Sequence, residues 1–306
     1  MIAYVALLGS AVVLGHGAGP LLSRLRGLDR HPAAAATLWL TALAGTVAAA
    51  AGLLALVVFS SPGPGHAVIE WFQRCVSHTH TGAATAIVFS ALSVAVSLQA
   101  VRQAVARLRE IRAARRRHHD MLDLVTTART GLDDVCILDH PLPIAYCLPV
   151  GDRPIVVSSG ALACLDGPQL AAVLAHERAH LRGRHHLILT LVDAFGGVLS
   201  WSATFTQART VLPALLEHAA DDAAAGRFGR ATVAQALRRL AILPSPAGSL
   251  SAAPPGADAL ATRLDRLQSG PSAVGGRHLA WAGAAASVLL PFAILAGWIT
   301  AITLTC

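Results

Sequence analysis

Four stretches of this chain carry no formal charge over about the ~20 residues a helix needs to cross a hydrocarbon core. They run from Met1 to Ser23, Ala33 to Ser60, Thr81 to Val101 and Leu279 to Cys306. Only 13% of the 306 residues are charged, about half the usual soluble share. Buried helices of a soluble protein are a poor alternative, because uncharged runs in a globular core do not acquire coherent arginine flanks. Here they do. All 24 basic residues are arginine, and they gather beside the runs. Arg24, Arg26 and Arg30 follow the first run; Arg102, Arg107, Arg109, Arg112, Arg115, Arg116 and Arg117 follow the third; Arg263, Arg266 and Arg277 precede the fourth. The Ser61–His80 loop carries only Arg74, set against Glu70. Positive charge stays on the cytoplasmic side. The expectation is therefore a multi-pass cell-membrane protein with both termini and the Ser61–His80 loop outside, and with everything from Arg102 to Arg277 cytoplasmic.

The first run has no basic residue before it, which makes it a retained anchor rather than a cleaved signal. The net charge of +7 is read as topology, with the lipid bilayer as partner and no direct nucleic-acid contact. Five cysteines (Cys75, Cys136, Cys147, Cys164, Cys306) form no CxxC pair, against a disulfide scaffold. The domains expected are a membrane part over 1–101, a soluble part over 102–277 and a fourth span over 278–306.

Within the soluble part, residues 101–124 continue the third span as a basic helix. Short strand-like runs follow at Val135–Leu138, Ile144–Leu148 and Pro154–Ser158. Helices are expected over 159–165, 168–182, 212–228, 232–243 and 258–267, with a Pro/Ser/Gly/Ala linker over 244–256. A fifth apolar run, Leu187–Thr206, is long enough to span but holds Asp193, Gly196 and Gly197.

Residues 176–180 read His-Glu-Arg-Ala-His. One helical turn separates His176 from His180, so both imidazoles project from one face and can share a Zn²⁺ ion, with Glu177 beside the open position as general base. Residues 217–222 read Glu-His-Ala-Ala-Asp-Asp, which puts Glu217 and Asp221 on one helical face. Two histidines and a glutamate are an established catalytic zinc set. Glu217 is the expected third ligand of one zinc per chain, and Asp221 the acceptor that fixes the tautomer of a ligating histidine. Glu177 then takes the proton of the attacking water and returns it to the leaving amine. The fifth run cannot cross the membrane in this scheme, since one crossing would separate His180 from Glu217. It is expected as a hairpin or amphipathic segment packed on the zinc helix.

The runs AVLAHERAH and EHAAD, with PIAYCLPVGDRPIVVSSGAL upstream, resemble gluzincin membrane peptidases of the BlaR/MecR type, to which HtpX-type proteases are related. The resemblance covers about Asp139 to Phe228, together with a layout of three spans, a cytoplasmic α+β zinc peptidase domain and a fourth span. It implies zinc ligands His176, His180 and Glu217, a base at Glu177, and cleavage of a cytoplasmic protein, with a winged-helix repressor as candidate. The penicillin-binding sensor of those relatives is expected to be missing beyond Cys306. His185 stands where relatives often have an aspartate, and no role is given to it. The strand around Ala145, Tyr146 and Cys147 is the expected substrate-binding edge, by strand addition. His218, His185 and His186 are candidates for stabilising the oxyanion. Two other readings remain open: an HtpX-like quality-control protease, and a non-enzymatic zinc-containing receptor. Oligomeric state is not legible.

Overall fold

The structure is a computed structural model, and it describes residues 2–25, 30–59, 82–125, 134–148, 154–240 and 257–269. The Ser61–His80 loop, the 244–256 linker and the expected fourth span lie outside the described residues. What is described is mostly helical, with one small sheet.

The first apolar run is helical from Ile2 to Arg24, as α1 (Ile2–Val12), a π-helical turn (Val13–Gly17) and α2 (Ala18–Arg24). The second is α3 (Pro32–Phe59). Residues 32–54 of α3 are long and apolar enough to cross a membrane, and among the described residues this is the one stretch that passes on length and composition. The third run opens α4 (Gly82–Val125), which continues unbroken through the arginine-rich stretch, so the expected boundary at 101/102 falls inside one helix. On α4, Arg102, Arg107, Arg109, Arg112, Arg116 and Arg117 are exposed. Arg115 turns inward instead, donating from Nη2 to Thr190 Oγ1 at 2.8 Å.

The sheet has strand order β1-β3-β2: β1 (Val135–Leu138) runs parallel to β3 (Ile155–Ser158), and β2 (Ala145–Cys147) runs antiparallel to it. Val135, Cys147, Ile155 and Val157 share one face and pack on α5 (Ser159–Cys164), α6 (Gly167–Arg182) and α9 (Arg230–Leu240) through Leu165, Val173, Leu174 and Ala236. The start of α6 is fixed by a reciprocal cap. Gln169 N–H donates to the Asp166 carboxylate, the Gln169 side chain accepts from Asp166 N–H, and Pro168 suits the first turn.

The Leu187–Thr206 run folds as an antiparallel hairpin. Its first arm is α7 (His185–Val198); its second is the start of α8 (Ala203–Phe228), capped by Ser202. The turn between them is Leu199–Trp201, and Trp201 is exposed. Helix α7 packs on α4 and α6, and helix α8 packs on α6 and α3, so the hairpin lies against the 176–180 helix as expected and also against the apolar helices. The physical reason lies in the apolar side chains. Val192, Phe205, Ala208, Leu212, Leu215 and Leu216 meet Ala35, Ala36, Trp39 and Leu43 of α3 in one buried cluster. The helix expected over 212–228 therefore begins nine residues earlier, at Ala203, and carries Pro213 in its interior.

Polar atoms near the hairpin tip are satisfied by the N-terminal helix. Ser202 Oγ donates to the Gly15 carbonyl at 2.6 Å, Thr204 Oγ1 donates to the Leu14 carbonyl at 2.7 Å, and Gly19 N–H donates to Thr204 Oγ1 at 2.9 Å. Gly19 has to be glycine here, since a Cβ would come within 2.8 Å of the Thr204 backbone. Thus α8 is the spine of the molecule: its first half packs among the apolar helices and its second half reaches the site.

Candidate metal centre

Helix α6 presents His176, Glu177 and His180, all buried, toward Glu217 on α8. Two forces set α6 in place. Val173 and Leu174 bury against the sheet. Arg178, inside the His-Glu-Arg-Ala-His run, forks onto Asp134 just before β1, with Nε–Oδ2 at 2.7 Å and Nη2–Oδ1 at 2.8 Å. That pair holds the Asp134 carboxyl below its usual range.

The Nε2 atoms of His176 and His180 are 3.0 Å apart. Glu217 offers Oε2 at 3.5 Å from His176 Nε2 and Oε1 at 3.2 Å from His180 Nε2. Ligand atoms of the three residues all lie within 4.8 Å of one another. Donors about 2.0–2.1 Å from a tetrahedral zinc stand about 3.3 Å apart along the tetrahedron's edges. The observed separations bracket that value, and imidazole and carboxylate are the donor types zinc takes, so the residues fit the ion.

Asp221, 1% exposed, lies one turn beyond Glu217, with Oδ1 at 3.0 Å from His176 Nδ1. Arg263, from α10 (Ala257–Ser269), closes the site from the far side. It forks onto Asp221 (Nε–Oδ2 2.8 Å, Nη2–Oδ1 2.7 Å) and reaches Glu217 Oε2 from Nη1 at 3.1 Å. One turn along, Arg266 forks onto Asp222 at 2.9 and 2.6 Å. Burial pushes the carboxyls of Glu217 and Asp221 up, but their basic partners win. His176, His180 and Arg263 hold Glu217 well below its ordinary value, and Arg263 and His176 bring Asp221 down to about 2. His176 shows the converse: burial favours its neutral form, and Asp221 and Glu217 raise it to about 10.

The expected substrate strand β2 is the edge of the sheet, and its side chains are half-buried at Ala145 and buried at Tyr146 and Cys147. The Cys147 thiol sits against Glu177; burial first, and then Glu177, pushes it up. Tyr146, on the opposite face of the strand, is pushed up to about 12 by burial. Of the three oxyanion candidates, His185 lies behind His180 rather than across the site. Its Nδ1 is 2.8 Å from His180 Nδ1, and burial lowers it to about 4. The Nδ1 atoms of His186 and His218 are buried without a hydrogen-bond partner, and neither ring is in the ligand cluster.

Sequence reasoning passed over Arg263 and Arg178. Arg263 was counted only as an arginine flanking a span. The signal that could have found it is its spacing to Arg266 on a short amphipathic helix, which matches the adjacent pair Asp221-Asp222.

Residues 111–244 match the family model described as peptidase family M48, under half of the chain. The stretch includes all the proposed ligands and the base but stops short of Arg263. Among curated proteins, a protease HtpX homolog of Salinibacter ruber (strain DSM 13855 / M31) is 32% identical over 92 residues, 28% of this chain and 33% of that protein. The chain thus spans about a third of the length of the curated relative it matches. No solved structure matches it.

Proposed function

We propose that this chain is a membrane-embedded zinc-dependent endopeptidase that cleaves a cytoplasmic protein, with a transcriptional repressor as the candidate substrate. The observation that carries the reading is the convergence of His176 and His180 with Glu217 from a separate helix, with Glu177 buried beside them. A divalent zinc held there would supply a Lewis acid and an acidified water. Glu177 accepts the water proton and passes it to the departing amine. Asp221 and Arg263 hold His176 and Glu217 still. Edge strand β2 aligns an extended substrate through its main chain, since the side chains of Tyr146 and Cys147 are turned into the protein.

Membrane attachment is supported by the apolar length of α3 and by the arginine flanks. The repressor substrate rests on the resemblance to BlaR/MecR-type peptidases. The similarity to a protease HtpX homolog favours a second reading, a membrane quality-control protease. One experiment tests both: sequencing the new protein N-termini in cells carrying the wild-type chain or Glu177→Gln. A regulatory protease yields one dominant cut in a small DNA-binding protein, and a quality-control protease yields many cuts in membrane proteins. Identical N-termini in the two strains leave the non-enzymatic receptor.

A further inference from the structure

The two histidines of the metal centre are backed by chemically different partners. Behind His176 stands a carboxylate, Asp221. Behind His180 stands an imidazole: Nδ1 of His185 lies 2.8 Å from Nδ1 of His180, and the rings meet edge to face with centroids 4.7 Å apart. Both rings are buried.

This contact is built by the local chain. Helix α6 ends at Gly183, and Arg184 then takes a left-handed conformation, φ 50, the one non-glycine residue with positive φ among those described. An arginine gains nothing intrinsically from that conformation. What it achieves is a reversal that starts α7 at once and swings His185 back under His180. The ring comes to rest over Gly183, where a Cβ would overlap its Nε2 and Cδ2 atoms. Gly183 and Arg184 together make the space and the turn that this one contact requires.

We infer that His185 is a positioning residue for the metal centre: it accepts the Nδ1 hydrogen of His180 and so fixes the tautomer and ring plane in which His180 Nε2 faces the metal. The logic follows from the distances. His180 directs Nε2 toward His176 and Glu217, so Nε2 must carry the lone pair that ligates. The hydrogen is then on Nδ1, and the only role left to the facing nitrogen of His185 is acceptor, with its own hydrogen on Nε2. A neutral acceptor also suits the charge of the site. Glu177, Glu217 and Asp221 are matched by Arg263 and one divalent cation. A carboxylate in place of His185 would leave the buried centre with one negative charge too many.

The inference rests on the zinc reading, and the test separates the two. Zinc affinity of the purified full chain in detergent is measured by competition with a chromogenic chelator, beside the visible spectrum of the cobalt-loaded protein. His185→Phe keeps the ring volume without an acceptor and should lose affinity about 10–100-fold, as losing a partner behind a ligand does. Its cobalt spectrum should change as His180 turns. His185→Asn restores an acceptor and should recover affinity to within about threefold of wild type. Gly183→Ala leaves His185 in place but pushes its ring away, and should resemble His185→Phe. Native affinity and an unchanged cobalt spectrum in His185→Phe overturn the inference. So does native affinity in Gly183→Ala, which decides the matter if His185→Phe fails to fold, and so does a folded His185→Asn that loses as much as His185→Phe. A wild-type chain that takes up no zinc overturns both this inference and the reading beneath it.

Discussion

Arg263 holds Asp221 by two parallel hydrogen bonds, Nε to Oδ2 at 2.8 Å and Nη2 to Oδ1 at 2.7 Å; the carboxylate is buried and the guanidinium half-buried. Glu217 shares the same guanidinium at 3.1 Å. Two carboxylates that would otherwise repel are thereby held on one helical face, one turn apart. Helix α10 follows a linker and brings this charge from outside the stretch that matches the peptidase family.

Removing Arg263 should therefore unfold the site rather than merely retune it. Arg263→Ala leaves the buried Asp221 carboxylate, and the half-buried Glu217 beside it, without their counter-charge, a cost on the order of 3–5 kcal/mol. Arg263→Lys should recover little, because an ammonium cannot fork onto Asp221 and reach Glu217 together. Thermal unfolding of the metal-free chain checks this. A lysine variant that melts with the wild type would show that only the charge matters.

Glu177→Gln should abolish proteolysis and keep zinc. The amide fills the same buried place but cannot accept a proton, and general-base assistance contributes about 10²–10⁴-fold in rate. Metal content by mass spectrometry and cleavage of an unfolded reporter are the two measurements. Wild-type cleavage by the variant would move the base elsewhere in the site.

Glu217→Ala should lose zinc almost entirely, whereas Asp221→Ala should weaken binding by about 10–100-fold, because Asp221 touches His176 and lies outside the cluster of His176, His180 and Glu217 that could hold the ion. Equilibrium dialysis against buffered zinc separates the two magnitudes. Equal losses would promote Asp221 to a ligand; unchanged binding in Glu217→Ala would remove Glu217 from the set.

How much of this was legible in the sequence depends on the range of the forces involved. The two pairs of the candidate site were readable, because one helical turn puts His176 over His180 and Glu217 over Asp221 whatever the tertiary fold. The strands were readable from Ile155–Ser158 and its turn residues, to within a residue at each end. What escaped was set by contacts distant in sequence. Arg263 meets Asp221 across 42 positions and Arg178 meets Asp134 across 44, and no local period announces either pair. His185 escaped for a different reason: its role depends on a left-handed turn at Arg184, a residue type that gives no hint of one. The start of α8 at Ala203 escaped because the apolar run around it reads equally well as a span.

The last prediction concerns that hairpin. Ser202, Trp201 and Thr46 all surround Gly15, so the hairpin tip lies level with Thr46 of α3. From Pro32 to Thr46 is 14 residues of helix, about 21 Å at 1.5 Å per residue. If α3 enters the bilayer near Pro32, just after the arginines, the tip stands well inside a hydrocarbon core about 30 Å thick. Glu217 lies 15 residues back along α8 from Ser202, again about 22 Å, which returns the metal centre to the level where α3 begins. The hairpin then enters and leaves the membrane on the same side, which keeps His180 and Glu217 together. Its buried hydroxyls find carbonyl partners in Leu14 and Gly15, as polar groups in lipid must. Exposed Trp201 is a natural probe of depth. In a chain whose other tryptophans are replaced by phenylalanine, reconstituted into vesicles, Trp201 emission should be quenched strongly by lipids brominated along the acyl chain and hardly at all by iodide in water. Strong iodide quenching with no effect of brominated lipid would put the tip in solvent and detach the metal centre from the membrane surface.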